Sequence, residues 1–173
     1  MSSDEVEVGQ VSSGQSAPAK LKSLRFEPLS QHHLAKVLEI EQEANPAPWS
    51  EKSFTNELSN PQSMFLVAIG DGKVVGYGGY WRCIDEAHIT TVAVSVEARR
   101  QGIGKRLMTT LLNHAVDEGM TCSTLEVRAG NVSAITMYEN MGYVVAARRK
   151  GYYPDNKEDA LVMWLYDLSS WGS

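Results

Sequence analysis

Residues 99–112 read RRQGIGKRLMTTLL, two glycines set among four cations, in a chain whose net charge is −5 over 173 residues. The run before it, AHITTVAVSV at 87–96, is rich in β-branched residues and predicts a strand. After it, Ile103, Leu107, Leu111, Leu112 and Ala115 recur at helical spacing, which predicts an amphipathic helix to about Glu118 with Gly119 as its stop. The first N–H groups of a helix lack partners, its dipole adds partial positive charge there, and glycine lets an anion approach the backbone. Strand, glycine-rich turn and helix together fit a phosphate cradle. A surface turn leading into an ordinary basic helix fits them too. Against that second reading, a cation at Lys105 or Arg106 is mildly unfavourable near a helix N-terminus unless an anion offsets it. Two familiar cradles are excluded: no G-x-x-x-x-G-K-S/T occurs, and Leu107 stands where a dinucleotide fingerprint needs its third glycine.

The neighbouring segments give the turn its setting. MFLVAIG (64–70), the tight turn GDGK (70–73) and VVGYGGYWR (74–82) predict two strands that form an antiparallel meander with 87–94. The strand STLEVR (123–128) follows the basic helix, so it is expected parallel to 87–94 through a βαβ crossover. A helix over 132–141 with a stop at Gly142 comes next, then closing strands in YVVAARRKG (143–151) and DALVMWLYDL (159–168). Upstream, LRFEPL (24–29) reads as a short strand, and Ser30 caps a helix carrying Leu34, Val37, Leu38 and Ile40. The prolines of NPAPWS (45–50) end that helix, and Ser50 caps another to about Leu58. The class is α+β, a mixed and mostly antiparallel sheet with a central parallel βαβ unit and helices on both faces, in one domain over 23–169. Residues 1–22, rich in Ser, Gly and Gln without apolar periodicity, are expected to be a disordered tail.

Composition narrows the function classes. No apolar run reaches membrane-spanning length, and Asp4, Glu5 and Glu7 do not suit a secretory or transit leader, so a soluble cytoplasmic protein without membrane contact is expected. The acidic balance argues against nucleic acid as a primary partner and suits a basic peptide or protein. Cys83 and Cys122 lack metal-ligand spacing and are expected as buried small hydrophobes in a reduced compartment. His32, His33, His88 and His114 also lack metal spacing, so no metal is expected.

VAVSVEARRQGIGKRL (92–107) resembles the acyl-CoA loop of the GNAT family of N-acetyltransferases, whose signature Arg/Gln-x-x-Gly-x-Gly/Ala matches Arg99, Gly102 and Gly104. LEVRAGNVSAITMYENMGY (125–143) resembles the second half of the same fold, a sheet that splays at its parallel pair. More narrowly, PWS (48–50), LEVRAGN, MYENMGY and YYP (152–154) with a later EDA (158–160) are similar to the branch of that family that acetylates the N-terminal alanine of a small-subunit ribosomal protein. The resemblance implies acetyl-CoA as co-substrate and a protein N-terminus as partner. It implies that the backbone of the loop formed by Arg99, Arg100, Gln101, Gly102, Ile103, Gly104 and Lys105 holds the CoA pyrophosphate. Val92, Ala93 and Val94 would pair with the pantetheine arm, and Asn131 would contact the cofactor.

Acetyl transfer to an amine needs a base for the ammonium, donors for the developing oxyanion and an acid for the departing thiolate. Glu126 shares a strand face with Arg128, away from Leu125 and Val127. A carboxylate in an apolar strand needs a reason. A salt bridge with Arg128 and a catalytic base are both open, and the resemblance implies the base. Tyr138, on the following helix, is a core aromatic by position and the general acid by resemblance; a backbone N–H near Val94 would meet the oxyanion. GYGGY (76–80) marks either a bulge or close packing. Trp49, Tyr152 and Tyr153 are core aromatics or the rim of a peptide entrance, while Asp85 and Glu86 are solvated turn charges or an attraction for an incoming ammonium. Two alternatives remain: an enzyme for a different amine (broad peptide N-termini, lysine or a polyamine), and a non-catalytic acyl-CoA sensor.

Overall fold

β-Branched and aromatic residues alternate sides along the central strands, and each side finds helices to cover it. A computed structural model describes residues 17–172. Its strands are β1 (Leu24–Pro28), β2 (Ser63–Gly70), β3 (Lys73–Cys83), β4 (Glu86–Val94), β5 (Cys122–Arg128), β6 (Val144–Arg149) and β7 (Ala160–Leu165). Its α-helices are α1 (Leu34–Ala44), α2 (Glu51–Ser59), α3 (Ile103–Asp117) and α4 (Val132–Asn140). The strands form one sheet in the order β1-β2-β3-β4-β5-β7-β6, antiparallel throughout except for the β4–β5 pair. The α+β class, the meander, the parallel crossover and the helices on both faces stand as expected.

From β2, Phe65, Val67 and Ile69 join Leu34, Val37 and Ile40 of α1 and Phe54 of α2 on one face. Leu66 points the other way, into a larger cluster with Leu107, Met108, Leu111 and Leu112 of α3 and Tyr138 of α4. Each fully buried Leu, Ile or Phe contributes about 1.5–3 kcal/mol, so the two clusters hold the sheet between its helical layers. Ser50 caps α2 by accepting from Ser53 N at 3.1 Å. Ser30 closes the start of the α1 region in a reciprocal capping arrangement with His33.

The parallel pairing of β4 with β5 is short, running only from Glu86–Cys122 to Ile89–Leu125. Within it, Ser123 Oγ donates to Ala87 O (2.9 Å) and lies 2.7 Å from the Tyr143 hydroxyl, which pins the two strands near the Glu86–Cys122 end. Beyond it, the β3–β4 register shifts so that Gly79 faces Thr91 and Tyr80 faces Ile89, leaving Thr90 as a bulge. Bulges bend a strand and increase its twist. β4 continues to Val94 paired with β3 alone, and its other edge opens from β5.

The buried-cysteine expectation is corrected. Cys83 is exposed, because β3 ends there and turns outward through Ile84; Cys122 is half-buried at the start of β5. Of the expected tail, residues 1–16 lie outside the described residues, and 17–22 carry neither helix nor strand. No helix among the described residues is long and apolar enough to cross a membrane.

Glycine at 79 is required by packing. A Cβ there would lie 2.5–2.6 Å from the Phe65 ring, whereas one at Gly72, in the β2–β3 turn, would meet nothing within 4 Å. Gly79→Ala is expected to cost roughly 1–3 kcal/mol through overpacking. Gly72→Ala should cost about 1 kcal/mol, from its positive φ alone. Urea unfolding of the pair measures the difference, and equal losses would mean that Phe65 moves aside.

Candidate active site

The stretch from Val94 to α3 is a compact loop. Ser95 N donates to Val75 O (2.8 Å), a 3₁₀ turn spans Val96–Ala98, and Arg99 Nε donates to Val94 O (3.2 Å). Arg100 and Gly102 take positive φ values of 61° and 72°. Gly102 is the N-cap of α3, and the first helical bond runs from Arg106 N to its carbonyl at 3.1 Å. The N–H groups of Ile103, Gly104 and Lys105 therefore have no partner within the helix. Gly104 faces α4: a Cβ there would lie 3.7 Å from Met137 Sδ.

Where β4 leaves β5, a groove of about 540 Å³ opens. It brings together Val92 and Ala93 on the free strand edge, Glu126 on β5, Asn131 before α4 and Tyr138 within α4. Asn131 is the N-cap of α4, its Oδ1 accepting from Ala134 N at 3.2 Å. The side chains of Arg99, Arg100, Gln101 and Ile103 border a different hollow, on the flank of the loop facing 17–24. Tyr138 is buried, and burial raises its phenol to about 12, with Tyr153 adding to the shift. It is therefore protonated at any physiological pH. Glu126 keeps 20% of its side-chain surface and lies 3.4 Å from the Arg149 guanidinium.

A second hollow, of about 330 Å³, adjoins the first; Trp49, Trp81, His88 and Tyr152 line it. Glu126, Ile89, Thr90 and Arg128 border both. A carboxylate in the wall between two cavities can take a proton from a group in one while a reaction partner lies in the other.

The salt-bridge alternative for Glu126 is settled against Arg128. Arg128 binds Asp155 (2.9 Å) and Glu158 (3.2 Å) and lies 3.9 Å from the centre of the Tyr153 ring. Glu158 also accepts from Gly130 N at 2.9 Å, so one ion cluster joins the β5–α4 turn to the β6–β7 loop. These carboxylates are held below the usual range, Asp155 first by Arg128 and Glu158 first by Gly130 N. Tyr152 is exposed, and the nearby Glu126 carboxylate raises its phenol. Trp49 packs on Phe54 and Phe65, with ring centres 5.4 and 6.2 Å away, and also borders the second hollow. Asp85 is tied to Thr121 Oγ1 (2.9 Å), and neither Asp85 nor Glu86 lines either cavity. Among the described residues, Glu27, His32 and His33 bring ligand-type atoms within 4.8 Å of one another. His33 is committed there to Ser30 N (3.1 Å) and Glu27 (3.0 Å), closing the turn before α1.

Glu41 is a further residue of the site. It is buried on α1, accepts from Trp49 N (2.9 Å) and Asn45 Nδ2 (3.1 Å), and receives the Tyr77 hydroxyl. It thereby fixes the 45–50 loop that borders both cavities. Its trace in the sequence is positional: Glu41 occupies the i+7 place from Leu34, on the stripe that the apolar residues of α1 follow.

These cavities meeting at one carboxylate describe an enzyme that moves a group between two bound partners. The pattern of the acetyltransferase (GNAT) family matches residues 34–143. A ribosomal protein bS18-alanine N-acetyltransferase from Escherichia coli K12 is 37% identical over 128 residues, which cover 73% of this chain and 86% of that one. A Bacillus subtilis protein, provisionally named for the same activity, is 36% identical over 148 residues, 85% of this chain and 95% of its own. The crystal structure of the E. coli ribosomal-protein-S18-alanine N-acetyltransferase superposes with a TM-score of 0.77 at 32% identity, over 83% of this chain and 93% of that one. The chain belongs to the GNAT family and is an acetyltransferase. Acetyltransferases of this family take their acetyl group from acetyl-CoA.

Burial raises the Glu41 carboxyl above its ordinary value, against the donors from Trp49 and Asn45. The folded state then holds this proton more tightly than the unfolded chain. Glu41's favourable contribution is complete below the ordinary carboxylate pKa of about 4.3 and is lost as pH rises through the raised value. The stability of the wild type relative to Glu41→Gln should therefore fall as pH rises from the ordinary value to the raised one and level off above it. Urea titrations of both proteins across the acid and neutral range measure it, and a constant difference would show that Glu41 titrates alike in both states.

Proposed function

We propose that this protein transfers the acetyl group of acetyl-CoA to the N-terminal alanine of a small-subunit ribosomal protein in the cytoplasm. The observation that carries the reading is Glu126 in the shared wall of two cavities, with the protonated phenol of Tyr138 in one of them. The residues present suit acetyl-CoA. The strand edge at Val92, Ala93 and Val94 offers main chain to the pantetheine amides, and the unpaired N–H groups at the start of α3 offer donors to a pyrophosphate. A Cβ at Gly102 would project into open space, so the approach over the N-cap is clear. The loop Arg99–Lys105 and Asn131 complete the proposed cofactor site. Bound there, acetyl-CoA supplies an activated thioester.

The remaining steps belong to the chain. Glu126, directly or through water, takes the proton of the incoming ammonium, which ordinarily titrates at about 7.7–8.0 and needs only modest help. A backbone N–H near Val94 stabilises the developing oxyanion. Tyr138, protonated at neutral pH, gives its proton to the departing sulfur. The acceptor enters past Trp49, Tyr152 and Tyr153. The near-complete coverage of the ribosomal-protein-alanine acetyltransferases supports this choice of acceptor over a polyamine or lysine.

Acetyl-CoA is to be incubated with peptides beginning Ala, Ser or Met, an N-terminally blocked peptide and spermine, with mass and free thiol recorded. The Ala peptide is expected to be acetylated on its α-amine. Glu126→Gln and Tyr138→Phe should each lower kcat by roughly 10²–10⁴-fold while CoA still binds. The wild-type rate should rise with pH as the acceptor amine deprotonates and show no loss from Tyr138 below about pH 10. Transfer only to spermine would reassign the acceptor, and CoA binding without transfer to any acceptor would indicate a sensor.

A further inference from the structure

We infer that residues 19–23 form a strap that presets the acyl-CoA loop, with Leu21 as its positioning residue. The inference rests on the proposed role of that loop in holding the CoA pyrophosphate. The strap lies outside the residues matched by the family pattern, 34–143. It is tied at two places far apart in the chain. At one end Leu21 N donates to Gln101 Oε1 (2.9 Å), and Gln101 Nε2 donates to Ala19 O (3.4 Å), so the Gln101 amide is held at both of its polar atoms. At the other end the Asp71 carboxylate, in the β2–β3 turn, accepts from Lys22 N (3.1 Å), Ser23 N (2.8 Å) and Ser23 Oγ (3.1 Å). Asp71 N returns a bond to Ser23 O at 3.2 Å.

Between these ties, the Leu21 side chain packs against a small cluster of Ala68, Val75, Ala98 and Ile103. Ala98 is the last residue before the loop and Ile103 the first residue of α3, so the cluster clamps both ends of 99–102. Gly70 makes the seat. A Cβ at position 70 would lie 2.6 Å from Leu21 Cδ1, and no other residue type leaves Leu21 its place. The loop holds Arg100 and Gly102 at positive φ, and the bonds it makes itself lie before them, at Ser95, Ala98 and Arg99. Were it free, bringing its N–H groups onto an anion would cost ordering entropy at the moment of binding. The strap meets that cost during folding, so its removal weakens binding of the pyrophosphate and leaves Glu126 and Tyr138 untouched.

Leu21→Ala and Gly70→Ala, singly and together in the full chain, test the inference. The added methyl at 70 meets the flexible end of Leu21 and lies 3.1 Å from Val75 Cγ2, so Leu21→Ala, which adds nothing against Val75, is the cleaner of the two. Each single variant is expected to bind CoA about five- to tenfold more weakly by calorimetry and to raise KM for acetyl-CoA without lowering kcat. The double variant should bind no worse than Leu21→Ala, because both changes empty the same seat. Leu21→Met should restore binding. With S-acetylpantetheine, which lacks the pyrophosphate, kcat/KM should be the same in all variants. Wild-type binding with unchanged affinity in the single variants overturns the strap, as do equal losses with CoA and S-acetylpantetheine or strictly additive losses in the double. Absence of CoA binding by the wild type overturns the proposed role of the loop, and the strap with it.

Discussion

Four pairs of residues carry the parallel contact between β4 and β5, and its early end shapes everything around it. Two strands that diverge must leave main-chain donors and acceptors on their facing edges without partners, and a buried edge of that kind is costly. Here the gap is open as a groove rather than closed by packing, which turns a structural deficit into a surface able to pair with an extended amide ligand. The Thr90 bulge bends β4 away, and Thr90 Oγ1 donates to Gly79 O at 3.2 Å, securing the distorted rung. Pinning of the opposite end by Ser123 and Tyr143 keeps the opening one-sided.

The walls of the opening are held by buried or half-buried carboxylates rather than by regular secondary structure. Glu41 secures the α1–α2 loop, and Glu158 secures the β6–β7 loop against Gly130 N and Arg128. In both cases a carboxylate satisfies backbone N–H groups that loops cannot pair among themselves. Glu126 differs from them. Its cationic neighbour, Arg149, keeps 56% of its side-chain surface, so the pair is wet and weakly coupled.

Most of the sheet was legible in the sequence because its signals are local: β-branched runs, the GDGK turn, Ser50 before a helix and glycines after helices. The parallel β4–β5 pair was legible because a strand–helix–strand run of that length has essentially one handed solution. Non-local facts were not legible. Nothing around Arg128 reveals that its partners lie nearly thirty residues on, at Asp155 and Glu158, so its pairing with the nearer Glu126 was an equal alternative. The exposure of Cys83 depends on where β3 ends, and strand ends are the least certain feature of any local pattern. Glu41 hid within the stripe it shares with Val37 and Ile40. Glu126 and Tyr138 were named from motifs, and their meeting in one groove is a property of the crossover that no single motif contains.

The division of the cavities among chain segments has an evolutionary consequence. The first reaches across the sheet's central strands to α4 and takes Asn45, Pro46, Tyr153 and Glu158 from two loops, and the second takes Trp49, Tyr152, Pro154 and Asp155 from the same two loops. Each loop is fastened to the scaffold by its own carboxylate, and neither carries the candidate acid or base. Sequence drift in those loops can therefore reshape both cavities while Glu126 and Tyr138, on β5 and α4, keep their places. A lineage with this architecture can change its clientele by rewriting two short segments, without reinventing the reaction.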